Sequence, residues 1–291
     1  MKTAFFLASV LVGTRWSTTT AFLRNDQHCR RALSLHAKKP LHLSMAIDDN
    51  PMAETSRLSH VMLRVPSVDM TVDYWTSKGG STLISRNKDD GSLMSAFVAL
   101  GSSGKTTEKC FGLEIVSTNP EKYELGNVVE HIGVSMLLQF QNNLLGAASG
   151  EKPQEQGVEP NGILVKSAAS APGDYFSRIS FKSKDLASTQ EFYSSLLGME
   201  VPAADEQMLC MRYKSQPYGV PTTLVFEATK DELVMGSCFD HLVIETTVDV
   251  DAQYERLQCE GRIFMKPTKM FGKKVMGIKD PNGYNVIIAS D

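Results

Sequence analysis

Along residues 58–291, apolar and polar positions fall into a pattern that occurs twice. HVMLRV is a short apolar run headed by a polar residue, as expected of a half-buried strand. VDMTVDYWTSKGGSTLI follows, with apolar residues at helical spacing and Gly79 where a helix would end. RISFKS and KDLASTQEFYSSLLGMEV repeat that order, with Gly198 in the closing position. Both predicted helices carry an acid followed by two aromatics, Asp73-Tyr74-Trp75 and Glu191-Phe192-Tyr193. FGLEIV then matches TLVFEA, each an apolar strand with one acid in it. EHIGVSM matches DHLVIET, and the turn-rich EPNGILV matches DPNGYNV.

An internal repeat on this scale divides the chain before any chemistry is considered. The spacing predicts a first module over 58–166, a linker of small residues over 167–173 and a second module over 174–291. The stretch QNNLLGAASGEKPQEQG replaces part of a helix and strand in the first copy, which is the shorter one after His131. At 291 residues the chain can bury an ordinary core, as one large domain or two small ones.

Residues 1–45 have a different character. AFFLASVLVG is an apolar run of ten residues, too short to span a bilayer and laid out as a secretory signal with cleavage near Thr20, Ala21 and Phe22. The following LRNDQHCRRALSLHAKKPLHLSMA is rich in Arg, Lys, Ser and Leu, with Asp26 as its sole acid. Together they resemble a signal peptide joined to a transit peptide, which predicts import into a plastid, with plain secretion as the alternative.

Removing that leader takes away seven basic residues and one acid, leaving 23 basic and 32 acidic residues. A mature chain with about nine net negative charges and no basic, aromatic-interleaved stripe is not built for nucleic acid. Nor does it hold a further apolar run that would keep the mature form in a membrane. Cys110, Cys210, Cys238 and Cys259 show neither C-x-x-C spacing nor a compact disulfide framework, and read as free thiols. Three of the six histidines, His28, His36 and His42, leave with the leader. The other three, His60, His131 and His241, each follow a polar residue and precede a strand-like run. One such histidine would read as a satisfied polar residue at a strand start, but three in matching places ask for more, because a capping role would not require histidine each time.

HVMLRV, the acid-bearing strand, EKYELGNVVEHIGVSM and the closing DPNGY together resemble glyoxalase I, of the vicinal oxygen chelate superfamily. The resemblance covers about residues 58 to 291. It implies an α+β fold of paired βαβββ modules, the glyoxalase/bleomycin resistance fold, with both halves of a dimer-like pair in one monomeric chain. It implies a small-molecule substrate, the hemithioacetal of methylglyoxal and glutathione, isomerised to S-lactoylglutathione at one divalent metal. Zn, Ni, Co and Mn are all compatible with nitrogen and oxygen ligands. Glutathione would be the co-substrate.

Carried over residue by residue, one site would hold His60 and Glu114 from the first module with His241 and Ile287 from the second. The other would hold Arg178 and Glu227 with His131 and Lys166. The first keeps two imidazoles and a carboxylate, enough for three protein ligands with open positions. The second sets two fixed cations where ligands belong, which disfavours a dication. In the family the base is the last-strand glutamate, and here Ile287 stands there, so Glu114 is the candidate for proton transfer. Arg64, Asn119, Lys269 and Lys273 are the candidate substrate-binding residues, through carboxylate contacts and the basic stretch KPTKMFGKK. Loss of the base equally suits a noncatalytic ligand-binding protein of the same fold. Two histidines and a carboxylate also suit a nonheme iron oxygenase.

Overall fold

The structure is a computed structural model that describes residues 50–77, 81–88, 91–99, 111–135, 156–168, 176–214, 222–258, 261–270 and 272–290. The leader, Gly79, Cys110, Cys259 and most of QNNLLGAASGEKPQEQG lie outside them.

Within the first module, β1 (Ser56–Val65) leads into helix α1 (Val68–Ser77), then β2 (Ser81–Asn87), β3 (Leu93–Ala99) and β4 (Gly112–Ser117). After a 3-10 turn at Pro120–Lys122 come β5 (Val129–Ser135), β6 (Gln156–Val158) and β7 (Leu164–Ala168). The second module repeats the plan: β8 (Phe176–Ser183), helix α2 (Leu186–Glu191, continued by π-type turns over Phe192–Leu196), β9 (Glu200–Ala204), β10 (Met208–Arg212) and β11 (Thr223–Ala228). It closes with β12 (Phe239–Thr246), α3 (Val250–Leu257), β13 (Ile263–Met270), β14 (Lys273–Lys279) and β15 (Asn285–Ser290).

The local signals explain where helices start and stop. Ser67 Oγ accepts from the Met70 amide at the head of α1, and Asp185 accepts from the Ser188 amide at the head of α2. Gly198, at φ +75°, ends the second helix where a Cβ would lie 2.6 Å from the Ala53 backbone nitrogen.

Each sheet takes strands from both modules. One runs β13-β14-β15-β12-β1-β4-β3-β2 and the other β6-β7-β5-β8-β11-β10-β9. The front half of one module thus joins the back half of the other. The joints are equivalent antiparallel pairs, β1 with β12 and β5 with β8, each with a register shift near its histidine. Alternate residues face opposite sides of each strand. One side of each sheet carries the core: Leu58, Val61, Leu63, Leu113 and Ile115 with Trp75 of α1, and Ile179, Phe181, Leu224 and Phe226 with Tyr193 of α2, all in one buried cluster.

The two Pro-Asn-Gly turns brace this exchange. Asn161 donates to Thr71 on α1 at 2.7 Å, and Asn282 donates to Thr189 on α2 at 3.0 Å. Each module's final turn is therefore tied to its own first helix, although the two belong to different sheets. The carboxylates that open the turns, Glu159 and Asp280, are buried and accept from the amides of Ile163 and Tyr284. Burial pushes the Asp280 carboxyl up to about 6. None of the described helices is long and apolar enough to cross a membrane.

Candidate metal centre

The sheet side opposite the core receives the candidate ligands. Met62 of β1 is in register with Glu114 of β4 and with His241 of β12, and His60 lies two residues back along β1, on the same face, opposite Val243. Adjacent strands place these residues on one face, and the ligand atoms of His60, Glu114 and His241 all lie within 4.8 Å of one another. Among the described residues this is the one group of three such donors gathered so closely.

Each donor is held from behind. His60 Nδ1 meets Ser59 Oγ at 3.1 Å, which turns Nε2 to within 3.1 Å of Glu114 Oε2. The Phe97 ring stands edge-on to His60, with centroids 5.4 Å apart. That ring fits because position 112 is glycine: a Cβ there would lie 2.4 Å from it. His241 Nδ1 pairs with Asp240 Oδ2 at 2.8 Å, leaving Nε2 as its donor atom. Asp240 also accepts from Arg64 Nε at 3.0 Å. Burial alone would raise the Asp240 carboxyl, but the His241 hydrogen bond and the Arg64 charge outweigh it and hold it near 2.

The donor set fits a divalent cation. The Glu114 side chain is 1% exposed, and neither of its oxygens, nor His60 Nε2, makes a hydrogen bond among the described residues. A carboxylate buried so deeply without a positive partner costs several kcal/mol, on the order expected for unpaired buried charge. A cation among the three groups removes that cost. Two imidazoles and one carboxylate leave positions for water or substrate oxygens.

The remaining sequence candidates are placed as follows. Ile287 of β15 is in register with Val243 and Gly277 and packs with Val243, Val275 and Ala289, an apolar wall beside the donors. Arg64 reaches the centre indirectly, through Asp240 and His241. Asn119 caps the 3-10 turn, accepting from the Glu121 amide at 3.0 Å, and is exposed. Lys269 is exposed on β13. Lys273 pairs with Glu245 at 3.1 Å, and Glu245 also pairs with Arg57.

Sequence reasoning passed over Ser59, Asp240 and the cluster that Arg57 and Glu245 form with Lys273. For the first two the signal was present, since each directly precedes a candidate histidine. For the cluster no local signal exists, because Arg57 and Glu245 meet only through β1–β12 pairing.

The second constellation departs from the alignment of FGLEIV with TLVFEA. His131 faces Ser180, and Arg178 faces Gly133, so Arg178 stands where His60 does and Lys166 where Ile287 does. By the same register Val225, opposite Ser180, takes the place of Glu114, while Glu227 lies two residues further along. Glu227 accepts a hydrogen bond from Ser180 Oγ and comes within 3.6 Å of His131 Nδ1.

Comparison with known proteins agrees with this architecture. Residues 176–288 match the Glyoxalase/Bleomycin resistance protein/Dioxygenase superfamily. The chain is 22% identical to the lactoylglutathione lyase of Arabidopsis thaliana over 272 residues, covering 83% of this chain and 94% of that one. It shares the fold of glyoxalase I from Zea mays, with a TM-score of 0.65 at 20% identity over 81% of this chain and 92% of that one. A candidate dioxygenase from Bacillus subtilis has the same fold, with a TM-score of 0.60 at 11% identity over 82% of this chain and 86% of that one. The chain thus has the fold of glyoxalase I, its second module matches the Glyoxalase/Bleomycin resistance protein/Dioxygenase superfamily, and it is distantly similar in sequence to a lactoylglutathione lyase.

Proposed function

We propose that the protein is a metal-dependent lyase of the glyoxalase I type, converting the hemithioacetal of methylglyoxal and glutathione to S-lactoylglutathione. The observation that carries this reading is the His60, Glu114 and His241 set, assembled from both modules within 4.8 Å. A bound divalent cation would polarise the substrate oxygens and so acidify the neighbouring carbon. Glu114 is the carboxylate at hand to accept and return the proton, because Ile287 supplies none. Ser59 and Asp240 orient the two imidazoles, and Arg64 adds a positive charge that a glutathione carboxylate could share with Asp240. Lys269 and Lys273, on the hairpin of β13 and β14, are further candidates for the same anionic co-substrate. The amino-terminal leader supports import into a plastid as the site of action.

The test is metal content of the full chain purified without chelator, followed by hemithioacetal turnover after reconstitution with Zn, Ni, Co or Mn. About one metal per chain, lost in His60→Ala and in His241→Ala, with metal-dependent S-lactoylglutathione formation, is the expected outcome. Turnover with none of the four metals would overturn the lyase reading.

Ile287 favours a second reading, a ligand-binding protein that kept the fold and the metal while losing the base. A full complement of metal without turnover would select it.

A further inference from the structure

We propose that the face of the second sheet equivalent to the metal centre is an oxyanion site, taking the carboxylate or phosphate group of a small acidic metabolite. Its frame is a row of three residues in register, Arg178 on β8, Gly133 on β5 and Lys166 on β7. Neighbouring strands lie about 4.8 Å apart, so the two cationic residues are rooted about 10 Å apart on one face with a glycine between them. The Arg178 stem lies across that glycine: a Cβ at position 133 would stand 2.4 Å from Arg178 Cγ. The Arg178 stem thus occupies the space that a side chain at position 133 would take, and glycine is what lets it cross β5.

Polar atoms without partners point to an occupant. His131, two residues before Gly133 on β5 and so on the same face, is 3% exposed, and neither ring nitrogen has a hydrogen-bond partner among the described residues. Arg178 Nε is buried and likewise unpartnered. Groups of this kind are satisfied in nearly all folded proteins, and the unpartnered His131 Nε2 and Arg178 Nε, on neighbouring positions of one face, mark where a ligand's oxygens fit.

The charges on this face define the ligand. Arg178 and Lys166 contribute two positive charges against Glu227, whose carboxylate is engaged by Ser180. Glu130, the other nearby acid, pairs with Lys182 at 3.4 Å. Burial first, then Lys166 and Arg178, push the His131 imidazole down to about 4, so at neutral pH it is an uncharged donor in a positive field. A dication is repelled there, and Val225 replaces the carboxylate that would have held it. An oxyanion instead gains two charge-assisted contacts and a hydrogen bond from the imidazole.

The inference is independent of the lyase reading. Its test is calorimetric titration of the full chain at neutral pH, in Tris chloride, with inorganic phosphate and separately with acetate. Saturable binding of phosphate alone identifies a phosphorylated ligand, and binding of acetate identifies a carboxylate. Arg178→Gln and Lys166→Met should each weaken binding about tenfold or more, the loss expected for one charge-assisted hydrogen bond. Gly133→Val, which displaces the Arg178 stem, should weaken it as well. His60→Ala should leave it unchanged. All four variants should keep the wild-type circular dichroism. Absence of saturable binding by either probe, or binding that survives both charge substitutions, overturns the proposal.

Discussion

The two sheet faces are built on the same strand order and the same β1–β12 and β8–β5 joints, yet one gathers two imidazoles and a carboxylate and the other two cations. Backbone geometry is common to both; the ligand class is set by the side chains at four equivalent positions. His60, Glu114, His241 and Ile287 face one cleft, and Arg178, Val225, His131 and Lys166 face the other. Only one member, the histidine at 241 and 131, is shared, and its surroundings differ as much as its neighbours do. His241 is oriented by Asp240, whereas His131 has no hydrogen-bond partner among the described residues and stands beside two cations. A duplicated module has thus kept one constellation for a cation and turned the other toward the opposite charge.

The largest expected effect comes from adding to the first face what it lacks. Ile287→Glu should raise hemithioacetal turnover by on the order of a hundred- to ten-thousand-fold, the usual worth of a positioned general base. Its thermal midpoint should fall, because the carboxylate enters the packing of Val243, Val275 and Ala289. Kinetics and thermal melts on the metal-loaded protein read both effects. A variant with unchanged turnover would mean that position 287 does not limit the reaction.

Acidification probes the second face. The folded-state value of His131 lies near 4, below the ordinary imidazole value, so between about 6.5 and 4 the unfolded chain binds a proton that the folded chain does not. Its contribution to stability is present in full above pH 6.5 and is lost as pH falls toward 4, by at most about 3 kcal/mol. Asp280, raised to about 6, acts in the opposite direction, since its ionisation on raising the pH disfavours the fold. The difference between wild type and His131→Gln in urea unfolding at pH 7 and pH 5 therefore isolates the histidine. Wild type should lose more stability than the variant on going to pH 5; equal losses would show that His131 takes up its proton freely in the fold.

The smallest effect compares the glycines of the two faces. Gly112→Ala would press a methyl group 2.4 Å from the Phe97 ring and 2.9 Å from the Val98 carbonyl oxygen, and backbone cannot easily move aside. A cost of about 1–3 kcal/mol is expected, as for other overpacked sites. Gly133→Ala meets the Arg178 side chain, nearest at Cγ, so that side chain must change rotamer, and a cost of about 1 kcal/mol is expected. Chemical denaturation of both variants measures the contrast, and a reversed order would refute the assignment of Gly112 to the support of Phe97.

Much of this could be read along the chain. The repeat, the two aromatic-bearing helices and the matched Pro-Asn-Gly turns are local patterns, and they reappear as α1 with α2 and as the braces from Asn161 and Asn282. The ligand set was legible through resemblance, since His60, Glu114 and His241 sit in motifs of fixed spacing. Arg64 was legible as a charge, but its attachment to Asp240 was not, because the two are brought together by strands 176 positions apart in the chain.

What the sequence by itself determined is the identity of the donors and the order of elements that carry them, because periodicity and turn chemistry act over a few residues. Only the tertiary structure decided which residues oppose one another. Matching FGLEIV to TLVFEA by eye pairs Glu114 with Glu227, whereas hydrogen-bonded register pairs it with Val225 and moves Glu227 two residues along the sheet. Register is fixed by pairing between strands far apart in sequence and by which face must be buried. No local pattern encodes it.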